Sequence, residues 1–474
     1  MSEAKPTLDA PSETQPRAVS AWAIATVTLL LCALWLLDLF VQRTSVLTPF
    51  VALGEKLPAL TPIYAFWLPV LSVRAIGFAI AALVFVASAA RLARPEHTPR
   101  AVFVAALLLF ATILPLCLFA VRQEPSELGS QLAIYPNEDV YFDALQIREY
   151  RPFLAHYVEL MPRLSLHGRH FPPGHASLLY AVGQRFGTGL LPAGIAVLAC
   201  FVMACLFVYR AIARISGEAR ARQGAFLLLA APSALDFACT SMDAVFLLFA
   251  SVAWWLAAGV VRSLECTSQP TLAQRFVAPL QMGVGLLVAT CFSFSAVPLG
   301  FAIGLALAIT GRNSWREASE ALALVGAGYS AAAVALFAST GFALWDCLAA
   351  ARSSNLEFMT RVIGRDAYDV YGLLSYGNGA AFLIGSGVAL VFAASAGVVF
   401  WKRAWNAAFV ITLGVMTFGG MYFMETERIW LFAMPWLAAI ASSGRTWTSG
   451  SLRLLLALGC VQALAMETLL FTLW

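Results

Sequence analysis

Apolar runs of about twenty residues alternate with short polar stretches along almost the whole chain. Each run is close to the length that an α-helix needs to cross the hydrocarbon core of a bilayer. The pattern therefore predicts an all-α polytopic membrane protein with about 13 transmembrane helices (range 11–13). The predicted spans are residues 20–41, 72–92, 101–121, 187–210, 223–237, 242–262, 276–293, 296–311, 319–341, 379–400, 405–423, 428–444 and 453–473.

Basic residues between these runs indicate how the chain is threaded. They cluster at every second turn: Arg91, Arg94 and Arg100; Arg210, Arg214, Arg220 and Arg222; Arg262 and Arg275; Arg312 and Arg316; Lys402 and Arg403; Arg445 and Arg453. Cytoplasmic loops are enriched in Lys and Arg, so the clusters predict a multi-pass protein of the plasma (inner) membrane with its N-terminus in the cytoplasm.

The same threading defines the predicted domains. Residues 1–19 are polar and contain three prolines, which predicts a disordered cytoplasmic tail. Residues 20–474 are predicted to form a single transmembrane domain with extracytoplasmic loops at 122–172 and 342–377. Residues 175–186 are amphipathic and short, and form either an interfacial helix or the first part of a broken span.

Composition narrows the class of protein. Hydrophobic residues make up 61% of the chain and charged residues 12%, which excludes an ordinary soluble domain. The net charge of +4 comes from basic residues spread between apolar runs, so it gives no sign of a nucleic-acid partner. No P-loop is present, and an outward-facing site cannot draw directly on cytosolic nucleotide-sugars or ATP.

Titratable groups are concentrated in the loop 122–172. Four of the chain's five histidines lie in it or at its exit: His156, His167, His170 and His175. Glu138 and Asp139 are adjacent carboxylates, and desolvation of one of them would make a general base. The structural alternative is a solvated loop in which Asn137 begins a helix.

The loop ends in His167-Gly-Arg-His170-Phe-Pro-Pro-Gly-His175. Its second proline suits the first turn of a helix. Arg169, His167 and His170 would then lie beside a positive helix terminus, an arrangement suited to a phosphate. Zinc is an open alternative, although His-x-x-His lacks the spacing of a metalloprotease helix.

Three later positions also carry charge at predicted outer turns. Asp243 opens a long apolar span and either caps it or positions a substrate. Arg361 and Arg365 lie in the loop 342–377, where an arginine suggests an anionic partner or a solvated loop. The third position is the group Glu425, Glu427 and Arg428, which would pair internally or with a substrate.

Taken in order, these positions resemble membrane glycosyltransferases of the GT-C superfamily, such as protein O-mannosyltransferases and aminoarabinose transferases. The resemblance rests on Asp139 with Glu138, on His170-Phe-Pro-Pro-Gly, on Thr-Ser-Met-Asp243-Ala-Val-Phe, and on Glu425-Thr-Glu-Arg-Ile-Trp. This chain departs from the family pattern in two ways. Two extra spans precede the large loop, which leaves Asp38 as a rival acid, and Phe171 interrupts His-Pro-Pro.

The resemblance implies an inverting glycosyltransferase that moves a sugar from a polyprenyl-phosphate donor to an acceptor hydroxyl on the extracytoplasmic face. Asp139 would be the general base, with Glu138 as the second catalytic residue, and Arg and His cations would stabilise the lipid phosphate. The residues implied for substrate and phosphate binding are His167, Arg169, His170, Asp243, Arg361, Arg365, Glu425, Glu427 and Arg428.

The resemblance implies the class of the donor, but it does not identify the acceptor or decide whether a metal takes part. The donor would be a lipid-linked sugar, and the acceptor a protein, a glycolipid or a polysaccharide. No residues are assigned to a metal, although a divalent metal cofactor is compatible with the family. A multi-pass transporter or lipid flippase is the main alternative, and a metal-dependent hydrolase built on the histidines is the third.

Overall fold

The computed structural model describes residues 65–265, 271–311, 315–363, 371–398, 404–419, 422, 426–443 and 446–472. Predictions for the tail 1–19, the first span, Asp38, Arg365 and Glu425 concern residues outside these ranges.

Helices make up nearly all of the described chain. The longer α-helices are Ala75–Leu92, Arg100–Phe119, Gly174–Phe186, Leu190–Ser216, Glu218–Leu229, Asp243–Glu265, Ala278–Thr290, Ala296–Thr310, Trp315–Thr340, Leu344–Ile363, Tyr371–Ser386, Val388–Val398, Ala404–Phe418, Met434–Ser443 and Ser449–Leu469. The predicted all-α membrane architecture is confirmed.

Six described helices are long and apolar enough to cross a membrane. They are Ala75–Leu92, Arg100–Phe119, Leu190–Ser216, Asp243–Glu265, Trp315–Thr340 and Ser449–Leu469. A bent helix pair would make a seventh if it is one span. The predicted number of about thirteen is not confirmed, because several predicted spans are helices of only 10–17 residues.

Two predicted spans are broken, which corrects the prediction of continuous helices there. The span 223–237 divides into Glu218–Leu229 and Pro232–Asp236, since a proline has no N–H to extend the first helix. The span 379–400 bends by 100° between Ser386 and Val388. Gly387 at the bend has φ +87°, and a side chain there would contact Pro232.

Aromatic side chains fill the centre of the helical bundle. Trp254 contacts Phe409 edge to face at 5.5 Å, and Phe409 stacks on Trp436 at 4.9 Å. These rings join Asp243–Glu265 to the C-terminal part of the chain. Because lipid is as apolar as these side chains, close packing rather than the hydrophobic effect holds the helices together.

The loop 122–172 is folded, not extended. It forms a chain of short helical turns: Pro125–Glu127, Ser130–Ala133, Val140–Gln146, Tyr150–Ala155, Tyr157–Leu160, Met161–Arg163 and Leu166–His170. Gly129 turns the chain with φ +90° and lies so close to Leu190 that a Cβ would overlap its carbonyl oxygen. The loop is thereby fixed against the helix Leu190–Ser216.

A small sheet is the exception to the predicted all-α structure. Strand β1, Ala65–Trp67, pairs antiparallel with strand β2, Leu470–Thr472. Arg122 extends this connection, since its Nη2 donates to the Leu68 carbonyl at 2.7 Å and its Nε donates to the Glu467 carbonyl. The start of the loop 122–172 is therefore attached to both sides of the strand pair.

Candidate functional site

A pocket of about 440 Å³ of empty space, including its open mouth, lies where the loop 122–172 meets the helical bundle. Charged side chains from distant parts of the sequence surround it. Its lining residues are Gln131, Leu132, Asp139, Val140, His167, Phe171, His175, Thr240, Ser241, Met242, Asp243 and Arg428. We refer to this set as the pocket.

Asp139 immediately precedes the short helix Val140–Gln146 and is 6% exposed. Its side chain makes no capping bond to that helix; instead Oδ2 accepts a hydrogen bond of 2.8 Å from the backbone N–H of Tyr135. Burial raises the pKa of Asp139, while the Tyr135 and Ile134 N–H groups and the charge of Arg428 oppose that rise. The side chain is thus a desolvated carboxyl facing the pocket.

His167 lies opposite this carboxyl, with 3.9 Å between its Nδ1 and Oδ1 of Asp139. Its backbone N–H donates to the Glu138 carbonyl at 3.0 Å, which ties the two halves of the loop together. Burial lowers the pKa of His167 well below its usual range, and the positive charge of Arg428 lowers it further. The imidazole is therefore neutral near pH 7.

A buried network fixes the short helix that carries His167. Ser165 caps this helix by accepting from the Gly168 N–H at 3.0 Å, and Asp143 accepts from the Ser165 hydroxyl at 2.6 Å and from its N–H at 2.9 Å. The Tyr157 hydroxyl donates to the carbonyls of Gly168 (2.8 Å) and Phe171 (3.0 Å). These bonds hold His167 at the pocket wall.

Asp243 and Arg428 form the other wall. Their side chains lie 3.4 Å apart, from Oδ2 to Nη1, and the two residues are 4% and 7% exposed. The Ser241 hydroxyl also donates to Oδ2 of Asp243, at 2.8 Å. A guanidinium that is always protonated is thus held in a water-poor pocket beside the Asp243 carboxylate.

Four of the predicted site residues line the pocket, and the other described ones do not. Glu138 contributes its backbone carbonyl to His167. His170 packs on Phe358 with ring centroids 5.8 Å apart, and burial lowers its pKa to about 4. Arg169, Arg361 and Glu427 lie outside the pocket lining; Arg361 is exposed and pairs with Glu357 at 2.6 Å.

The pocket also contains residues that were not predicted as site residues, among them Gln131 and His175. Gln131 is on the turn Ser130–Ala133, and His175 is the second residue of the helix Gly174–Phe186. His175 had a signal in the sequence, because it follows Pro-Pro-Gly at the loop exit. Gln131 had none, since a single glutamine in a polar loop is ordinary.

The described residues include no group of three or more His, Cys, Asp or Glu side chains arranged to hold a metal ion. Asp139 and His167 approach each other, but Arg428 places a positive charge beside them. The residues that line this part of the pocket therefore do not fit a metal site.

No protein-family model and no curated protein matches the chain by sequence. Its structure is similar to an oligosaccharyltransferase from Archaeoglobus fulgidus in complex with Zn and sulfate, with a TM-score of 0.46 and 13% identity over 77% of this chain and 53% of the other. The same enzyme tethered to an acceptor peptide containing the NVT sequon gives 0.49 and 11% over 77% and 55%. This chain therefore spans about half the length of that enzyme.

ArnT from Cupriavidus metallidurans, in the apo state, is also similar, with a TM-score of 0.28 and 14% identity over 70% of this chain and 75% of the other.

Proposed function

We propose that this protein is an inverting glycosyltransferase that takes a sugar from a polyprenyl-phosphate donor and transfers it to an acceptor hydroxyl on the extracytoplasmic face. One observation carries the proposal: Asp139 and His167 of the loop 122–172, Asp243 and Arg428, from three separate parts of the chain, line one pocket. The acceptor is a protein, a glycolipid or a polysaccharide, and the reaction class is the same for all three.

Asp139 is the proposed general base. Its carboxyl faces the pocket and accepts hydrogen bonds from the backbone N–H groups of Tyr135 and Ile134. A carboxylate has about four lone-pair sites, so it can also accept from a substrate hydroxyl. Burial raises its pKa toward neutral pH, which strengthens it as a proton acceptor. Asp243 is less suited to this role, because Ser241 and Arg428 both occupy its Oδ2.

Arg428 is the proposed partner of the leaving group. Its guanidinium can interact with two phosphate oxygens at once, and the buried surroundings strengthen that attraction. Asp243 holds Arg428 in position through the 3.4 Å contact. Negative charge that develops on the departing phosphate would be stabilised at a cation already in place.

The proposed reaction is a single displacement in which Asp139 accepts the proton and Arg428 stabilises the leaving phosphate. The acceptor oxygen bonds to the anomeric carbon while the bond from that carbon to the phosphate oxygen breaks, and both electrons of that bond leave with polyprenyl phosphate. Asp139 takes the proton of the acceptor hydroxyl. One displacement at the anomeric carbon inverts its configuration. Neutral His167, 3.9 Å from Asp139, orients the base without competing for the proton.

Sugar transfer from defined donors tests the proposal. Purified protein in lipid would be incubated with radiolabelled undecaprenyl-phosphate glucose, galactose, mannose and arabinose and a membrane extract as acceptor. We expect transfer from at least one donor, and a rate about 10²–10⁴-fold lower for Asp139→Asn. Asp346→Asn, which removes an exposed carboxylate outside the pocket, is the matched control and should retain wild-type rate.

Lipid translocation is the second candidate function, and the bent helix pair favours it. Discontinuous helices line the binding sites of many transporters, and Glu427 is buried beside Gly385 in this pair. A fluorescent polyprenyl-phosphate lipid in vesicles would separate the two functions. If wild type and Asp139→Asn flip the lipid equally and neither transfers sugar, the protein is a translocator.

A further inference from the structure

Among the neutral side chains of the pocket, two buried polar atoms have no hydrogen-bond partner among the described residues. They are Oε1 of Gln131 and Nε2 of His175. The two residues are 8% and 4% exposed and both line the pocket. A buried polar atom without a partner is costly, so such atoms in a pocket wall indicate where a ligand completes the bonding.

The position of Gln131 is fixed by the backbone around it. Gly129 begins this turn with φ +90° and contacts Leu190 and Gly194 too closely for any side chain. The Ser130 hydroxyl donates to Oε1 of Gln123 at 2.8 Å, which closes the turn on its other side. Gln131 is therefore on a rigid turn, packed against the helix Leu190–Ser216.

His175 is fixed in a comparable way. The Gly174 N–H donates to the Cys291 carbonyl at 2.8 Å, and a side chain at Gly174 would overlap that carbonyl oxygen. The imidazole lies between the rings of Phe171 and Phe292, each with its centroid 5.7 Å away. Burial lowers the pKa of His175 to about 3, so the ring is neutral and has one donor and one acceptor nitrogen.

The chemistry of these two groups differs from that of Arg428. A phosphate has only acceptor oxygens near neutral pH, so it cannot satisfy Oε1 of Gln131, which needs a donor. A sugar hydroxyl both donates and accepts, and it can therefore satisfy Oε1 of Gln131 as well as either tautomer of His175.

We propose that Gln131 and His175 form a subsite that binds hydroxyl groups of the transferred sugar, separate from the phosphate contact of Arg428. This inference rests on the proposed function for the identity of the ligand. The pocket then divides into a neutral part that recognises the sugar and a charged part that holds the leaving group. Gln131 and His175 would determine which sugar is accepted, because a sugar without the matching hydroxyl leaves their polar atoms unpaired.

Binding measurements on two lipids test this division. The affinity of the protein for undecaprenyl phosphate would be compared with its affinity for undecaprenyl-phosphate glucose, galactose, mannose and arabinose. Wild type should bind at least one sugar-bearing lipid more tightly than bare undecaprenyl phosphate. Gln131→Leu and His175→Phe should each reduce that preference about tenfold while leaving the affinity for bare undecaprenyl phosphate unchanged.

Matched controls exist on the same part of the chain. Gln184→Leu changes an exposed glutamine of the helix Gly174–Phe186, and His156→Phe changes an exposed loop histidine. Both controls should keep the wild-type preference for the sugar-bearing lipid. If Gln131→Leu or His175→Phe does not fold, Gln131→Met and His175→Leu, which also remove the polar atoms, take their place with the same expectation.

The outcomes separate this inference from the proposed function. Equal loss of affinity for both lipids would place His175 or Gln131 at the phosphate and overturn the subsite, as would an unchanged preference in all variants. A preference that depends on these two residues, without sugar transfer by wild type, would support the subsite and refute the glycosyltransferase. Sugar transfer by wild type, with a lipid preference that does not depend on Gln131 or His175, would support the glycosyltransferase and refute the subsite.

Discussion

Arg428 and Asp243 face each other across 3.4 Å inside the pocket, with both side chains less than one-tenth exposed. A buried cation and its partner stabilise each other only while both are present. The same contact aims the guanidinium at the pocket, so it links the folding of the bundle to the proposed chemistry.

Loss of either partner should destabilise the protein. Asp243→Asn and Arg428→Leu should each reduce the free energy of unfolding by about 3–5 kcal/mol, because each leaves a buried charge without its opposite. The double variant should lose less than the sum of the two. Denaturant unfolding in detergent measures all four proteins, and purely additive losses would show that the pair is not coupled.

The rate of transfer should depend on pH through Asp139. Its carboxyl must be ionised to act as a base, and burial raises its pKa above the ordinary 3.8. The rate should therefore fall, as pH is lowered, at a higher pH than an exposed aspartate would give. A profile of kcat/KM between pH 4 and pH 9 records this fall in rate on the acid side. A flat profile over that range would argue against Asp139 as the base.

The same raised pKa predicts an effect on stability. The native state holds the Asp139 proton more tightly than the unfolded state does. The protonated carboxyl therefore contributes to the free energy of unfolding at pH values below the ordinary pKa of aspartate, and this contribution is lost as pH rises through the raised pKa of the native state. Asp139→Asn does not ionise and can still accept from Tyr135. Its melting temperature should equal or exceed that of wild type at pH 8, and the difference should shrink toward pH 4.

Gly168 should tolerate no side chain. A Cβ there would overlap Oδ2 of Asp143, the carboxylate that holds Ser165 and the helix of His167. Gly168→Ala should cost about 1–3 kcal/mol of stability and most of the transfer activity. Gly326→Ala is the control, since nothing lies within 4 Å of a Cβ at that helical position. Equal behaviour of the two variants in unfolding experiments would contradict this account.

Arg361 should be dispensable, unlike Arg428. Its side chain is 71% exposed and pairs with Glu357, which is 73% exposed, and such surface pairs contribute little. Arg361→Gln should therefore leave kcat/KM for the lipid donor within about twofold of wild type, whereas Arg428→Gln should lower it by about 10² or more. A large loss for Arg361→Gln would require the loop 342–377 to reach the donor.

The membrane character and the charged positions could be predicted from sequence because both are local signals. Apolar runs of span length are visible directly. Asp139 and His167 are titratable groups in the long polar loop between two such runs, and Asp243 and Arg428 stand at the start of two others. That these four surround one pocket depends on how distant helices pack, and no spacing in the sequence encodes it.

The errors also have physical causes. Hydropathy does not register a bend, so it predicts continuous spans across Gly387 and Pro232, where the structure has a break and a separate short helix. The role that charge predicts for Arg361 stays a prediction, and in the structure this side chain forms an exposed i,i+4 pair with Glu357. The sequence does not point to Gln131, because this residue becomes a site candidate only through its burial in the pocket. That burial results from the packing of Gly129 against Leu190, which the sequence does not show.

Arg122 is the point at which the loop leaves the bundle, and it bonds to the chain beside both strands of the small sheet. The first residue of the loop is therefore fixed by these bonds. The last residue, Pro172, leads directly into the helix Gly174–Phe186, which carries His175. A tether at each end restricts the loop to small internal movements. In the proposed glycosyltransferase, substrates would then enter a preformed chamber, and the fit of each substrate to that chamber, more than closure of the loop around it, would select it.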